Sequence, residues 1–193
     1  MMVHLNNLPG QRDITASALI IRETPRGPLA LVHLHRKLGL LLQVGGHVEL
    51  DETPWAAVVH EIREEAGYGL DQLAVLQPYD TRLPAPNNVA HPLPAVFDTH
   101  RVNDTPHYHS DLLYALVTSE LPAHQPTAGE SRDLRWYTLA QLHEDPLVLP
   151  DNAIYYGLAM EQLLTSWLRI PAKNYSLGMP GLATVGEPAA PRS

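Results

Sequence analysis

Apolar and polar positions divide the chain into short sheet-forming runs and two long helical ones. Residues 14–21 form an apolar run that reads as a buried strand, and the turn cluster 23–28 lets 29–35 pair back on it. A basic turn at 36–39 leads to a short strand, 40–44, and then to Gly45-Gly46. Apolar residues next recur at helical spacing. Trp55, Val58, Val59, Ile62 and Ala66 fall on one flank at 100° per residue, enough to dock a helix over 54–66 on a sheet. Thr53 suits its N-cap, Pro54 its first position and Gly67 the left-handed residue that ends it.

Strands are predicted at 71–77, 94–102, 111–118 and 133–138. Between the first two lies 78–92, rich in Pro and Asn and long enough to be a functional loop; 119–131 is a second polar loop. A short helix at 139–144 precedes a long one at 153–169, with Ile154, Leu158, Leu163 and Trp167 as its core stripe. This order predicts an α/β fold, an α/β/α sandwich around a mixed β-sheet. A single domain over 1–170 is expected, and 171–193, rich in Pro, Gly and Ala, reads as a loosely held tail.

Composition narrows the function classes. A formal charge of −8 argues against nucleic-acid wrapping or an anionic membrane surface as partner. The absence of cysteine removes disulfides, thiolate zinc sites and a thiol nucleophile. No run reaches transmembrane length, which makes a cytoplasmic location the default expectation.

The informative chemistry lies on the first long helix. Glu61, Glu64 and Glu65 stand at i, i+3 and i+4 on one face, where like charges cost a few tenths of a kcal/mol per pair. Only His60, opposite Glu64, offers local relief, whereas a solvated helix would interleave Lys or Arg. Three clustered oxygen donors suit a hard divalent cation, although an acidic surface helix would show the same three residues. The spacing adds weight to the first alternative. Gly46, Glu52, Glu61, Glu64, Glu65 and Gly67 stand in the register Gly-x5-Glu-x7-His-Glu-Ile-x-Glu-Glu-x-Gly-Tyr. Chance would produce these two glycines and four glutamates with odds of roughly 10⁻⁵.

This stretch resembles the Nudix box, with two departures: His60 replaces the box arginine, and Val44 stands where many members have proline. The resemblance, expected to cover about residues 12–170, implies the Nudix fold and a hydrolase that cleaves the pyrophosphate of a nucleoside diphosphate linked to another group. It implies Mg²⁺ or Mn²⁺ held by Glu61, Glu64 and Glu65, with the Gly46 carbonyl as a further ligand, and a small nucleotide-like diphosphate as substrate. Glu52 would orient the loop–helix junction, where His60 gives a weaker brace than arginine. Among candidate bases Glu130 comes first and Glu120 second, each weighed against an ordinary loop glutamate. His107 and His109, with Asp111, share one face if the strand begins there, and they fit a second metal site, substrate contacts or plain structural residues. Arg36 and Lys37 could steer phosphates or simply be solvated. A homodimer is open, since relatives are often dimers while one core explains the apolar stripes. Two rival readings share the fold: a catalytically silent metabolite sensor, and an isoprenyl diphosphate isomerase, which typically uses the cysteine this chain lacks.

Overall fold

The computed structural model describes residues 10–81, 89–102 and 105–178. Two long strands form its axis: β1 (Arg12–Thr24) and β7 (Tyr108–Thr118) run parallel, from Arg12 opposite Tyr108 to Arg22 opposite Thr118. Each offers its outer edge to two partners. On β1, β2 (Gly27–His35) takes residues 21–24 and β4 (Val44–His47) takes 15–18. On β7, β5 (Ala74–Gln77) pairs near Val117 and β6 (Val96–Arg101) pairs with 108–113. The sheet therefore forks at both edges. β3 (Leu40–Leu42) and β8 (Leu134–Tyr137) add to β2, and β9 (Leu168–Pro171) adds to β5. All these added pairings are antiparallel, so the sheet is mixed, as the order of elements predicts.

Side chains alternate along a strand, so β1 supplies two cores. Ala16, Ala18 and Ile20 face the helix α1 (Pro54–Ala66). Leu19 and Ile21 face α2 (Leu139–Glu144) and α3 (Pro150–Leu158). Helices on both faces make the expected α/β/α sandwich. α1 keeps its predicted bounds: Thr53 Oγ1 accepts the Ala56 N–H at 3.1 Å, and Gly67 ends the helix at φ 71°. All five residues of its predicted stripe are buried. Burying Trp55, Val58, Val59 and Ile62 contributes roughly 1.5–3 kcal/mol each before conformational entropy is subtracted.

Four expectations change. The helix predicted at 153–169 starts at Pro150, passes through a π-turn at Ala159–Leu163 and ends at Ser166. Its last residues instead form β9, because Ile170 precedes a proline that disfavours helix and β5 has a free edge to pair. Ile154, assigned to the core stripe, is 60 % exposed; the buried face is Ala153, Tyr156, Met160, Leu163 and Leu164, and Ile154 stands about 100° round the helix from Ala153, outside that face. The chain beyond 171 is not loose throughout. Ala172 and Tyr175 are buried, and the Tyr175 ring packs edge-on 6.0 Å from Trp55. The remainder of the expected tail, 179–193, lies outside the described residues, as does 82–88 of the loop 78–92. The predicted strand 71–77 opens with a 3-10 turn, Leu70–Gln72.

Gly67 carries the sharpest backbone requirement. Its φ is left-handed, its carbonyl accepts the His124 N–H at 3.1 Å, and a Cβ there would overlap the His124 carbonyl. Gly67→Ala is therefore expected to destabilise the fold by about 2 kcal/mol or more, read as a lowered denaturation midpoint. A midpoint equal to wild type would show that this contact does not anchor loop 119–131.

Candidate functional site

β4 is Val-Gly-Gly-His; Gly46 leaves room for an acid of α1, and a Cβ on Gly45 would overlap Ser17 and the Ala16 carbonyl of β1. Glu65 is buried, and its Oε2 accepts the Gly45 N–H at 3.0 Å while lying 3.6 Å from His33 Nε2. A Cβ on Gly46 would overlap the Glu61 carboxylate. The acid occupies the space a side chain would need, which explains glycine at this position. Glu64, one turn along, stays half exposed and lies 3.1 Å from His60 Nε2. Glu52 Oε1 accepts the Glu49 N–H at 3.0 Å, closing the turn before α1. His60 thus engages Glu64 on the helix surface.

The electrostatics are unusual. Burial, reinforced by Glu64, Glu130 and Glu52 against the opposing His60, pushes the Glu61 carboxyl up to about 7. Burial, then the Glu61 charge, pushes Glu65 up to about 8 despite the Gly45 N–H. Burial, with help from His35, lowers His33 to about 4, so it is neutral at pH 7. No lysine or arginine is among the groups acting on either carboxyl. Oxygen donors held together without an organic cation fit a divalent ion. Among the described residues, however, no three His, Asp or Glu side chains already stand in an ion-holding arrangement. Binding one therefore requires the carboxylates to turn, Glu65 away from Gly45 and Glu64 away from His60.

The loop 119–131 is tied to this corner. Thr127 N–H donates to the Glu64 carbonyl at 2.8 Å, and Arg36 Nη1 donates to the Gly129 carbonyl at 2.7 Å. Glu130 is thereby brought near enough to act on Glu61, Glu65 and His35. The structure separates the two candidate bases: Glu120 accepts from Gln72 Nε2 at 3.1 Å, and its carbonyl accepts from Tyr68 Oη at 2.8 Å, both beyond the C-terminal end of α1. Arg36 is occupied by the loop, whereas Lys37 lines a cavity.

That cavity, about 350 Å³, opens beside Gly45 and Gly46. On the α3 side of the sheet, β1 and β7 change from apolar residues to Thr15, Ser17, His109 and Asp111. Asp111 is buried and accepts from Thr15 Oγ1 at 2.9 Å and Ser17 Oγ at 2.8 Å; burial raises its carboxyl above the usual range. His109 packs edge-on against His47, at 4.9 Å between ring centroids, and against His107 at 5.5 Å. His107 Nε2 lies 3.4 Å and His47 Nε2 3.6 Å from the buried Asp13 carboxylate. His107 and His109 thus belong to one imidazole–carboxylate network. The sequence reading missed His33, Asp98, Asn152 and Tyr155. Hydroxyl residues inside the apolar run of β1 were the one available signal for this face; nothing local marks Asn152 or Tyr155.

The raised carboxyls give a signed prediction. A buried acid with an elevated folded pKa stabilises the fold below its unfolded pKa and loses that contribution as pH rises through the folded value. His33 acts oppositely, but only between about 4 and 6.5. Without divalent ions, the melting temperature is therefore expected to fall between pH 6.5 and 8.5, and to fall less in Glu65→Gln. A flat wild-type profile over that window would contradict the burial of these charges.

Comparisons with known proteins bear on the family and the fold. The NUDIX domain family matches residues 12–157. A NUDIX-family hydrolase from Clostridium perfringens is 27 % identical, with a TM-score of 0.65, covering 79 % of this chain and 98 % of that one. The NUDIX domain of NrtR from Shewanella oneidensis, solved with ADP ribose, is 18 % identical with a TM-score of 0.58, covering 79 % and 88 %. The Ap4A hydrolase of C. elegans is 16 % identical with a TM-score of 0.52, covering 76 % and 92 %. No curated protein matches the chain. Among the described residues no helix is long and apolar enough to cross a membrane. The chain belongs to the NUDIX domain family.

Proposed function

We propose that the chain is a divalent-metal-dependent hydrolase that cleaves the pyrophosphate bond of a nucleoside diphosphate linked to another group, working in the cytoplasm. The observation that carries this is the pair of raised carboxyls, half-buried Glu61 and buried Glu65, set against Gly46 and Gly45. Glu61, Glu64, Glu65 and the Gly46 carbonyl would hold Mg²⁺ or Mn²⁺. Bound there, the ion would neutralise phosphate oxygens and favour deprotonation of water.

The chain's own groups supply the rest. Glu130 is the general base: it takes the proton from water as the water oxygen bonds to phosphorus, and the anhydride P–O bond breaks to release a phosphate anion. Arg36 acts indirectly, by holding the Gly129 carbonyl and so the approach of Glu130. Lys37 attracts the phosphates at the cavity mouth. Glu52 fixes the turn leading into α1. His60 competes for Glu64 and so affects how readily that ligand turns inward.

A panel of nucleoside di- and triphosphate derivatives, assayed with Mg²⁺ and Mn²⁺ for the phosphate released, tests the activity. Glu64→Gln and Glu65→Gln are each expected to lose at least ~100-fold of metal-dependent turnover; full retention would remove the site assignment. Binding without turnover across the panel would instead favour a sensor. Gly46→Ala separates folding from function. The Glu61 side chain can swing away from an added methyl, so the melting temperature should stay near that of wild type while turnover drops roughly 10²-fold. Unchanged turnover would show that Glu61 needs no support from Gly46.

A further inference from the structure

We infer that the 350 Å³ cavity beside Gly45 and Gly46 receives a neutral, hydroxyl-rich group, a sugar attached to the diphosphate, with Asn152 and Asp111 as the residues that read it. The inference rests on the hydrolase reading for the position of the phosphates and extends it to the substrate class. The first ground is charge. Asp98, Asp111 and Asp151 line the cavity against Lys37 and Arg101, a balance that does not favour further phosphates inside it.

The second ground is hydrogen bonding. Asn152, 4 % exposed at the start of α3, lines the cavity with an amide nitrogen that has no hydrogen-bond partner. The Gln43 amide oxygen and His33 Nδ1 line it in the same unpartnered state. Asp111 is fixed by the Thr15 and Ser17 hydroxyls, which use two of the roughly four acceptor positions a carboxylate offers. Tyr155 Oη is committed to Asp98 Oδ2 at 2.5 Å, which fixes a second carboxylate in the wall. The wall thus presents a donor and several acceptors close together. A hydroxyl is both donor and acceptor, so adjacent hydroxyls on one ring can satisfy such a mixed set.

ADP-ribose and ATP share the adenosine diphosphate and differ only beyond it, so they serve as the probes. Each is titrated calorimetrically into the full chain with a chelator present, which prevents turnover. ADP-ribose is expected to bind about tenfold tighter than ATP, and Asn152→Leu to abolish that difference while leaving ATP binding unchanged. Tyr155→Phe, which keeps the ring but frees Asp98, should reduce the preference without altering the melting temperature. Equal affinities in wild type, or an Asn152→Leu loss shared by both ligands as a nucleobase in the cavity would give, overturns the inference. The outcomes separate cleanly from those for catalysis. A preference without any metal-dependent turnover supports the cavity assignment and removes the hydrolase, and turnover without a preference does the reverse.

Discussion

Two carboxyls, Glu65 buried and Glu61 half-buried against a pair of glycines, set the terms for the rest of this molecule. Glu65 reaches the Gly45 N–H and Glu61 fills the place of a side chain on Gly46, so both acids lie directly against β4. Neither acid gains an arginine or lysine, and the Glu61 charge raises the proton affinity of Glu65. Taken alone the arrangement is unfavourable, since burial disfavours charge and like charges repel. It persists because the opposite flank of the same helix buries Trp55, Val58, Val59 and Ile62. The stability of the hydrophobic flank offsets a polar flank organised for chemistry.

The forked sheet gives that polar flank its setting. Because β4 pairs with only the first half of β1, and β2 with the second, the sheet opens beside Gly45–Gly46. The same alternation that fills two cores higher on β1 presents Thr15 and Ser17 to Asp111 lower down. A one-residue shift of β1 against β7 would turn these polar groups into the α1 core. The register of the parallel pair therefore fixes the cavity as firmly as it fixes the core.

Much of this was legible in the sequence, and the reasons are local. α1 is bounded by residues whose roles depend on their neighbours alone, Thr53, Pro54 and Gly67, so its limits come out to the residue. The end of the second long helix does not, because 168–171 are claimed by the distant edge of β5. Ile154 was misplaced because it and Ala153 are both apolar, and only the docking of α3 on the sheet selects which of the two faces inward. At the site, the spacing of Glu61, Glu64 and Glu65 put them on one face, but spacing says nothing of depth. That Glu65 is buried while Glu64 meets His60 at the surface needs the sheet. Sequence placed Glu130 ahead of Glu120 only by its position before a strand, whereas the Arg36–Gly129 and Gln72–Glu120 hydrogen bonds draw the two to different places.

The central claim is that these carboxyls exist to take up a divalent ion. Titrating Mn²⁺ into the full chain and following the free-ion signal by electron paramagnetic resonance tests it most directly. The account predicts stoichiometric loss of the free-ion signal, weakened at pH 6 as Glu61 and Glu65 take up protons. An undiminished signal at every pH, with the protein folded, would contradict it.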